Sequence, residues 1–317
     1  MTPADPMVVA MPAALEPIAK KLEKNLRKAR RGDPDAIHDS RILLRRARVG
    51  LELMGRTAFE AGRTRSVARA LRDVERALGP TRDDDVFLEH LDRWLEGAEA
   101  HRNAQAVPLR EGVRKKRAKH VRAVARALER PPARAARREL RRLLEHPEDA
   151  ACRPPANAAP TSPSLVRHFV RHVAWQAYEE VLAYEVRRAA DIDVAHKFRS
   201  ACRRLRFTLE LFEGATHGID SIVGPLRDLQ SRLGDLHDHA VAVVRVKKWL
   251  AHSRSRRTEA IADYVAERAR ERDALLAEFE PIRDAVTALS FREALFRALE
   301  GEAVRAGKGR LRLVPAA

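Results

Sequence analysis

One helical pattern occurs twice in this chain. Ala36-Ile37-His38-Asp39-Ser40-Arg41-Ile42-Leu43-Leu44-Arg45-Arg46-Ala47-Arg48 is matched by Val194-Ala195-His196-Lys197-Phe198-Arg199-Ser200-Ala201-Cys202-Arg203-Arg204-Leu205-Arg206. An offset of 158 superposes His38 on His196, Arg41 on Arg199, Arg45 on Arg203, Arg46 on Arg204, Arg48 on Arg206 and Glu52 on Glu210. A second block follows in each half at an offset of 155: Leu78-Gly79-Pro80-Thr81-Arg82-Asp83 against Leu233-Gly234-Asp235-Leu236-His237-Asp238, extending to Trp94-Leu95 against Trp249-Leu250. Two collinear blocks mark a tandem duplication of one helical unit, so the fold must be built from two copies of it.

Helix geometry gives the repeat a shape. At 100° per residue, positions i, i+3, i+7 and i+10 fall within a stripe of roughly 80°. His38, Arg41, Arg45 and Arg48 occupy that stripe in the first unit, and His196, Arg199, Arg203 and Arg206 in the second. Ile37, Leu43, Leu44, Ala47, Leu51 and Met54 take the broadly opposite arc. A helix apolar around most of its girth with a narrow cationic line is a largely buried helix bordering a wet groove. Purely structural arginines would each need a counter-charge. Within the motif Glu52 and Glu210 are too few to supply one each, which favours an anion-binding groove lined by both halves. Arg48 and Arg206, one turn from Glu52 and Glu210, have the spacing for structural pairs.

Composition fits this picture. The 317 residues carry 62 Lys+Arg against 45 Asp+Glu, a net charge of +17, and 45% apolar residues, enough for a sizeable core. Such an excess favours polyanionic partners. Fourteen Gly and 5% aromatic residues argue against a sandwich or barrel. No apolar run is long enough to span a membrane, and Asp5 stands where a secretory signal would be basic. A cytoplasmic location is therefore expected. Cys152 and Cys202 cannot form a disulfide framework or a four-cysteine zinc site.

The periodicity predicts an all-α chain: a flexible tail over 1–11, a first helical repeat over 12–145, a Pro-rich linker over 146–164, a second repeat over 165–300 and a flexible basic tail over 301–317. The first helix, Pro12–Arg31, carries Lys20, Lys24 and Arg27 as further candidate anion ligands. Gly32-Asp33-Pro34 breaks the chain and caps the next helix, which runs to about Gly55. Separate helices are expected over 65–78 and 82–102 around Gly79-Pro80, then over 109–130, 165–190, 194–212, 219–233, 236–252 and 257–289.

Other chemistry is sparse. No nucleotide-cradling loop or H-E-x-x-H occurs. His237 and His239, at i and i+2 of a helix, do not face one metal site, and Asp83-Asp84-Asp85 reads as a helix-start cap. No metal, cofactor or catalytic constellation is expected. Nucleic acid, the alternative ligand, would bring stacking aromatics or a recognition helix. Phe198 and Phe207 lie in the second motif and no aromatic lies between Arg41 and Arg48.

The paired H-x-x-R-x-x-x-R-R-x-R helices, each followed by L-G-x-x-[RH]-D, resemble the CHAD domain, the conserved histidine α-helical domain, over about residues 12–300. The resemblance implies two four-helix bundles related by a pseudo-two-fold axis. It also implies non-enzymatic binding of inorganic polyphosphate at a central groove or pore, with a possible link to polyphosphate granules. The implied ligands are His38, Arg41, Arg45, Arg46, Arg48, His196, Arg199, Arg203, Arg204 and Arg206, with Lys197 beside them. The halves depart from each other at Asp39 and Lys197, Leu44 and Cys202, and Arg82 and His237. Apart from these, the duplication leads one to expect equal contributions from the two motif helices.

Overall fold

The computed structural model describes residues 1–57, 59–151, 165–185, 192–252 and 258–300. These form an all-helical fold with α1 Met7–Ala29, α2 Pro34–Met54, α3 Ala61–Leu95, α4 Ala100–Glu129, α5 Pro131–Glu145, α6 Val166–Leu182, α7 Ile192–Leu211, α8 Asp220–His252, α9 Glu259–Ala277, α10 Phe279–Thr287 and α11 Leu289–Glu300. No named strand occurs among the described residues. The repeat order is visible in the packing. In the first half α1 lies on α2, α2 on α3 and α3 on α4, while in the second α6 lies on α7, α7 on α8 and α8 on α9.

The motif helices form as their sequence dictates. Asp33 accepts a hydrogen bond from the Ala36 amide at 2.8 Å and Pro34 opens α2, so two of its end constraints are met locally. Ile37, Leu44, Ala47, Leu51 and Met54 are all buried, as the apolar arc requires. In α7 the same arc is filled by Phe198, Cys202, Leu205 and Leu209. Burial pushes the Cys202 thiol far above its ordinary range, so it acts as an apolar side chain.

The core is not divided by repeat. One cluster runs through α1, α2, the first half of α3, α5, α6, α7, the first half of α8, α10 and α11. A second joins the distal half of α3 (Phe87, Leu91, Leu95) and α4 (Leu109, Val113) to the distal half of α8 (Val243, Val246) and α9 (Ile261, Tyr264). Trp94 and Trp249, paired by the sequence repeat, both pack on this second cluster. Each repeat therefore contributes half of two shared cores, and at roughly 1.5–3 kcal/mol per buried large apolar side chain both are needed.

Several sequence expectations are corrected. Helix α3 runs unbroken through Gly79-Pro80, and α8 through residues 233–236. Buried Leu78 and Thr81 on either side of the proline hold the helix by packing, which outweighs the missing amide. Asp83, Asp84 and Asp85 therefore lie inside α3 rather than at a helix start. Asp84 is buried against His120 at 2.7 Å and against Arg245, and Asp85 pairs with Arg117. The stretch expected as one helix over 257–289 is two, α9 and α10, with α11 beginning at its end, and α5 fills a stretch for which no helix was expected. The segment expected to be a flexible tail starts helical at Met7, with Met7, Ala10 and Met11 buried. Its first residues bond to the start of α6, the Val166 amide donating to Asp5 at 3.0 Å. Of the expected linker, 146–151 is ordered by a 3₁₀ turn at Pro147–Asp149 and a bond from the Glu60 amide to Ala150. The remainder, 152–164, and the expected tail 301–317 lie outside the described residues. No described helix is long and apolar enough to cross a membrane.

His239, buried beside the second core, is held neutral. Burial, with Arg268 and His90 adding repulsion, pushes it down to about 4. Its folded value lies below the unfolded one of ~6.5, so the unfolded chain takes up the proton first. Stability is then expected to fall as pH drops from about 6.5 toward 4. Thermal melts across that range should show a shallower pH slope for His239→Gln than for the wild type; equal slopes would assign the loss to other groups.

Candidate functional site

Helices α2 and α7 pack against each other, and α3 and α8 flank them. Between the four lies a cavity of about 480 Å³. Its walls carry His38, Arg41, Arg45 and Arg48 from α2 and His196, Arg199, Arg203 and Arg204 from α7. Arg72, Glu75, Arg82 and Asp83 come from α3, with His237 and Asp238 from α8. The cationic stripes of the two repeats thus face one groove.

Arg204, though it lines the cavity, has partners of its own, and the remaining candidates sit elsewhere, each for a visible reason. Arg46 reaches across to Glu210 of the other repeat, and Arg204 reaches back to Glu52 at 3.8 Å. Because the offset of 158 relates both members, this is the reciprocal pattern of an isologous contact. Arg206 pairs with Glu210 at 3.8 Å and lies over the Phe207 ring at 4.9 Å, with Arg46 over the same ring at 5.5 Å. Lys197 is exposed on the outer side of α7 and does not line the groove. Lys20, Lys24 and Arg27 point to solvent from α1, away from the cavity, and Lys20 is paired with Glu16 at 2.6 Å.

The second sequence block now has a physical meaning. A Cβ placed on Gly79 would meet the Arg41 guanidinium at 2.8 Å, and one on Gly234 would meet that of Arg199 at 3.0 Å. Each glycine leaves room for the first motif arginine to lie across the flanking helix. Arg199 also donates to the Gln230 carbonyl at 3.2 Å.

One turn before Gly79 stands Glu75, which the sequence analysis did not single out. It accepts from Arg45 at 2.6 Å and also pairs with Arg48. The antiparallel register of α2 and α3 could have located it, since Arg41 over Gly79 sets Arg45, one turn on, over Glu75. Arg48 therefore pairs with Glu75 rather than Glu52. At the offset of 155 its counterpart is Gln230, which carries no charge and whose buried amide nitrogen has no partner. Among the described residues Arg203 accordingly has a hydrogen bond to Ser200 alone, at 3.0 Å. Among the described residues Arg41, Arg199 and Arg203 make no ion pair.

Electrostatics record the crowding. Burial, then Arg45 and Arg199, pushes the Arg203 guanidinium down to about 9. Burial also lowers Arg41 and Arg199, with Arg45 adding repulsion to both. A guanidinium keeps its proton at neutral pH, so these directions describe a cluster of cations waiting for an anion. At the rim His196 lies against His237, ring centroids 5.2 Å apart. Partial burial lowers His38, His196 and His237, which favours their neutral forms. His239 faces a different cavity from His237, as i and i+2 demand, and no metal-binding group of three His, Cys, Asp or Glu occurs among the described residues.

Fold and groove together define an internally duplicated, all-helical protein with a cationic cleft between its repeats. The CHAD domain profile matches residues 13–247, and the chain belongs to that family, which is associated with polyphosphate binding. Among solved structures it is similar to the CHAD domain from the plant Ricinus communis, with 22% identity, a TM-score of 0.66 and coverage of 91% of this chain and 94% of that one. It is also similar to PptA from Streptomyces chartreusis, with 16% identity, a TM-score of 0.66 and coverage of 88% and 99%. At these identities the likeness concerns the fold. None of the curated proteins matches the sequence.

Glu75 acts as a resident anion in the groove. Glu75→Gln is expected to cost about 1–3 kcal/mol of stability by releasing two arginines, while raising affinity for an anionic probe such as pyrophosphate. Unfolding curves and calorimetry check both; a variant that loses stability without gaining affinity would make Glu75 purely structural.

Proposed function

We propose that the protein binds inorganic polyphosphate in the groove between α2 and α7, without chemical turnover. The observation that carries this reading is the set Arg41, Arg82, Arg199 and Arg203, half-buried cations with no ion pair among the described residues, converging from both repeats on one cavity. Polyphosphate is a thin chain with about one charge per phosphate and no base to read. Planar guanidinium forks suit it, since each can bridge two oxygens and stays charged. His38, His196 and His237 would add neutral N–H donors at the mouth. Of its carboxylates, Glu75 holds Arg45 and Arg48 and Glu52 meets Arg204, so a bound anion would be taken up by the cations left over. A place at polyphosphate granules in the cytoplasm follows from the same reading.

The groove also bears on nucleic acid as the alternative ligand. Phe207, the one Phe, Tyr or Trp in its wall among the described residues, already has Arg46 and Arg206 over its ring, which leaves only the rim imidazoles for a base to stack on.

The asymmetry of Glu75 and Gln230 revises the expectation of equal halves. Arg199→Glu with Arg203→Glu is expected to weaken long-chain polyphosphate binding more than Arg41→Glu with Arg45→Glu, because Glu75 already neutralises Arg45. Titration of both folded double variants against labelled polyphosphate checks this. Binding that survives in the first variant, with a retained helical spectrum, would place the ligand elsewhere.

If the rim histidines bind as neutral donors, affinity should change little between about pH 8 and 6 and rise only below their lowered values. A steep rise between 8 and 6 that vanishes in His38→Gln/His196→Gln would show that they bind as cations.

A further inference from the structure

The charge of this protein is concentrated far more than its duplication requires. Residues 100–145, which hold α4 and α5, contain fifteen Lys and Arg against four Asp and Glu, a net +11 out of +17. Their counterparts in the second repeat, residues 259–300 with α9, α10 and α11, contain six against ten, a net −4. Helices α4 and α9 pack on the same distal core and against each other. The second repeat is therefore an internal control: the fold does not need a basic outer helix at this position. Concentrated like charge also opposes compaction, so the excess on α4 and α5 calls for a role outside the fold.

The cations on α4 are ordered. Lys115, Lys119, Arg122 and Arg126 recur at i, i+4, i+7 and i+11, a stripe of roughly 60°. All four are exposed, and none pairs with a carboxylate among the described residues. By contrast, cations on other faces are used within the fold: Arg117 holds Asp85, and Arg110 reaches Asp92 at 3.2 Å. Arg134, Arg138 and Arg141 extend a similar exposed row along α5.

Helix α4 reaches the groove through the face beside this stripe, that of Lys116 and His120. A cavity of about 750 Å³ shares His196, His237 and Asp83 with the groove and is bounded on its far side by Lys116 and His120 of α4. Its other walls include Val241 and Val244 and the carboxylates of Asp84 and Asp193; Asp84 is buried, paired with Arg245 and hydrogen-bonded to His120. A chain leaving the groove between His196 and His237 thus arrives at α4.

We propose that the outer face of α4, centred on Lys115, Lys119, Arg122 and Arg126, is a second polyphosphate-binding surface that takes the stretch of chain running out of the groove. The proposal rests on the polyphosphate reading of the groove and adds the reason for a preference for long chains. The groove alone holds a short anion; the stripe, about 16 Å along the helix axis at 1.5 Å per residue, engages only a chain long enough to reach it. No aromatic stands among the four cations to stack a base, and continuity with the groove selects a ligand already threaded there.

The test compares tripolyphosphate with long-chain polyphosphate in three full-length proteins: wild type, the α4 variant Lys115→Gln/Lys119→Gln/Arg122→Gln/Arg126→Gln, and the groove variant Arg199→Glu/Arg203→Glu. Glutamine keeps helix propensity, and melting of the α4 variant should match or exceed the wild type. That variant is expected to lose about tenfold or more in affinity for long chains while holding tripolyphosphate as before. Its slope of log affinity against log salt should fall by about 3, roughly 0.7 per cation removed. The groove variant should lose both ligands. Long-chain affinity and salt slope unchanged in the α4 variant would overturn the proposal. So would duplex DNA binding that disappears in that variant while polyphosphate binding stays intact, since the face would then serve nucleic acid. If the groove variant keeps both ligands, the groove reading fails on its own, separately from the outcome for α4.

Discussion

The pairing of Arg46 with Glu210 and of Arg204 with Glu52 holds α2 and α7 side by side, and the rest of the site depends on it. Two helices that each present a line of arginines repel one another. Here the repulsion is met by turning one arginine of each adjacent pair, Arg46 and Arg204, toward the opposite repeat's glutamate. Its neighbours, Arg45 and Arg203, are left facing the groove. In the first repeat the doubled arginine separates two tasks, Arg46 joining the repeats and Arg45 lining the cavity; in the second, Arg204 meets Glu52 and lines the cavity beside Arg203. Phe207 supports the joint from below, with Arg46 and Arg206 both lying over its ring.

Once the helices are fixed in that way, their flanks decide how much positive charge remains. In the first repeat α3 brings Glu75 under Arg45 and Arg48 and satisfies both. In the second, α8 brings Gln230, and Arg203 is left with a serine hydroxyl. Above these positions the two glycines do the same thing in both halves, admitting the guanidinium of Arg41 or Arg199 against the flanking helix. Those arginines are then held in place by packing rather than by carboxylates. They are preorganised without being neutralised, which is what a site for a flexible polyanion requires.

What the sequence made legible follows from periodicity and duplication. The stripe of His38, Arg41, Arg45 and Arg48, the buried arc of α2 and the shared groove all follow from 3.6-residue geometry applied to a repeated segment. Asp33 and Pro34 set the start of α2 through local chemistry alone. Helix boundaries governed by tertiary packing were not legible: Gly79-Pro80 signals a break, yet α3 continues because residues on both sides are buried. Nor could the sequence show that the cores are shared. The apolar residues of α3, α4, α8 and α9 are periodic whichever repeat they pack against. Glu75 was hidden because its partners lie on another helix, so its role depends on an interhelical register that Gly79 alone reveals.

The two repeats also show what a duplicated site can change and what it cannot. Positions that join the halves must keep their character in both copies, because each of them meets its counterpart's partner; Arg46, Arg204, Glu52 and Glu210 are of that kind. Positions that face only the groove are under no such reciprocal demand. Glu75 and Gln230 differ, as do Arg82 and His237, and the outer helices α4 and α9 differ most of all. A single Glu-to-Gln difference leaves Arg203 without the carboxylate that Arg45 has, without touching the joint or either core. Divergence at unreciprocated positions is how a symmetric frame acquires a direction: a carboxylate beside the middle arginine of one wall and none beside that of the other, and a basic outer face on one side only. A chain-like ligand with no direction of its own would lie on such a frame in a defined sense, held most firmly at Arg199 and Arg203.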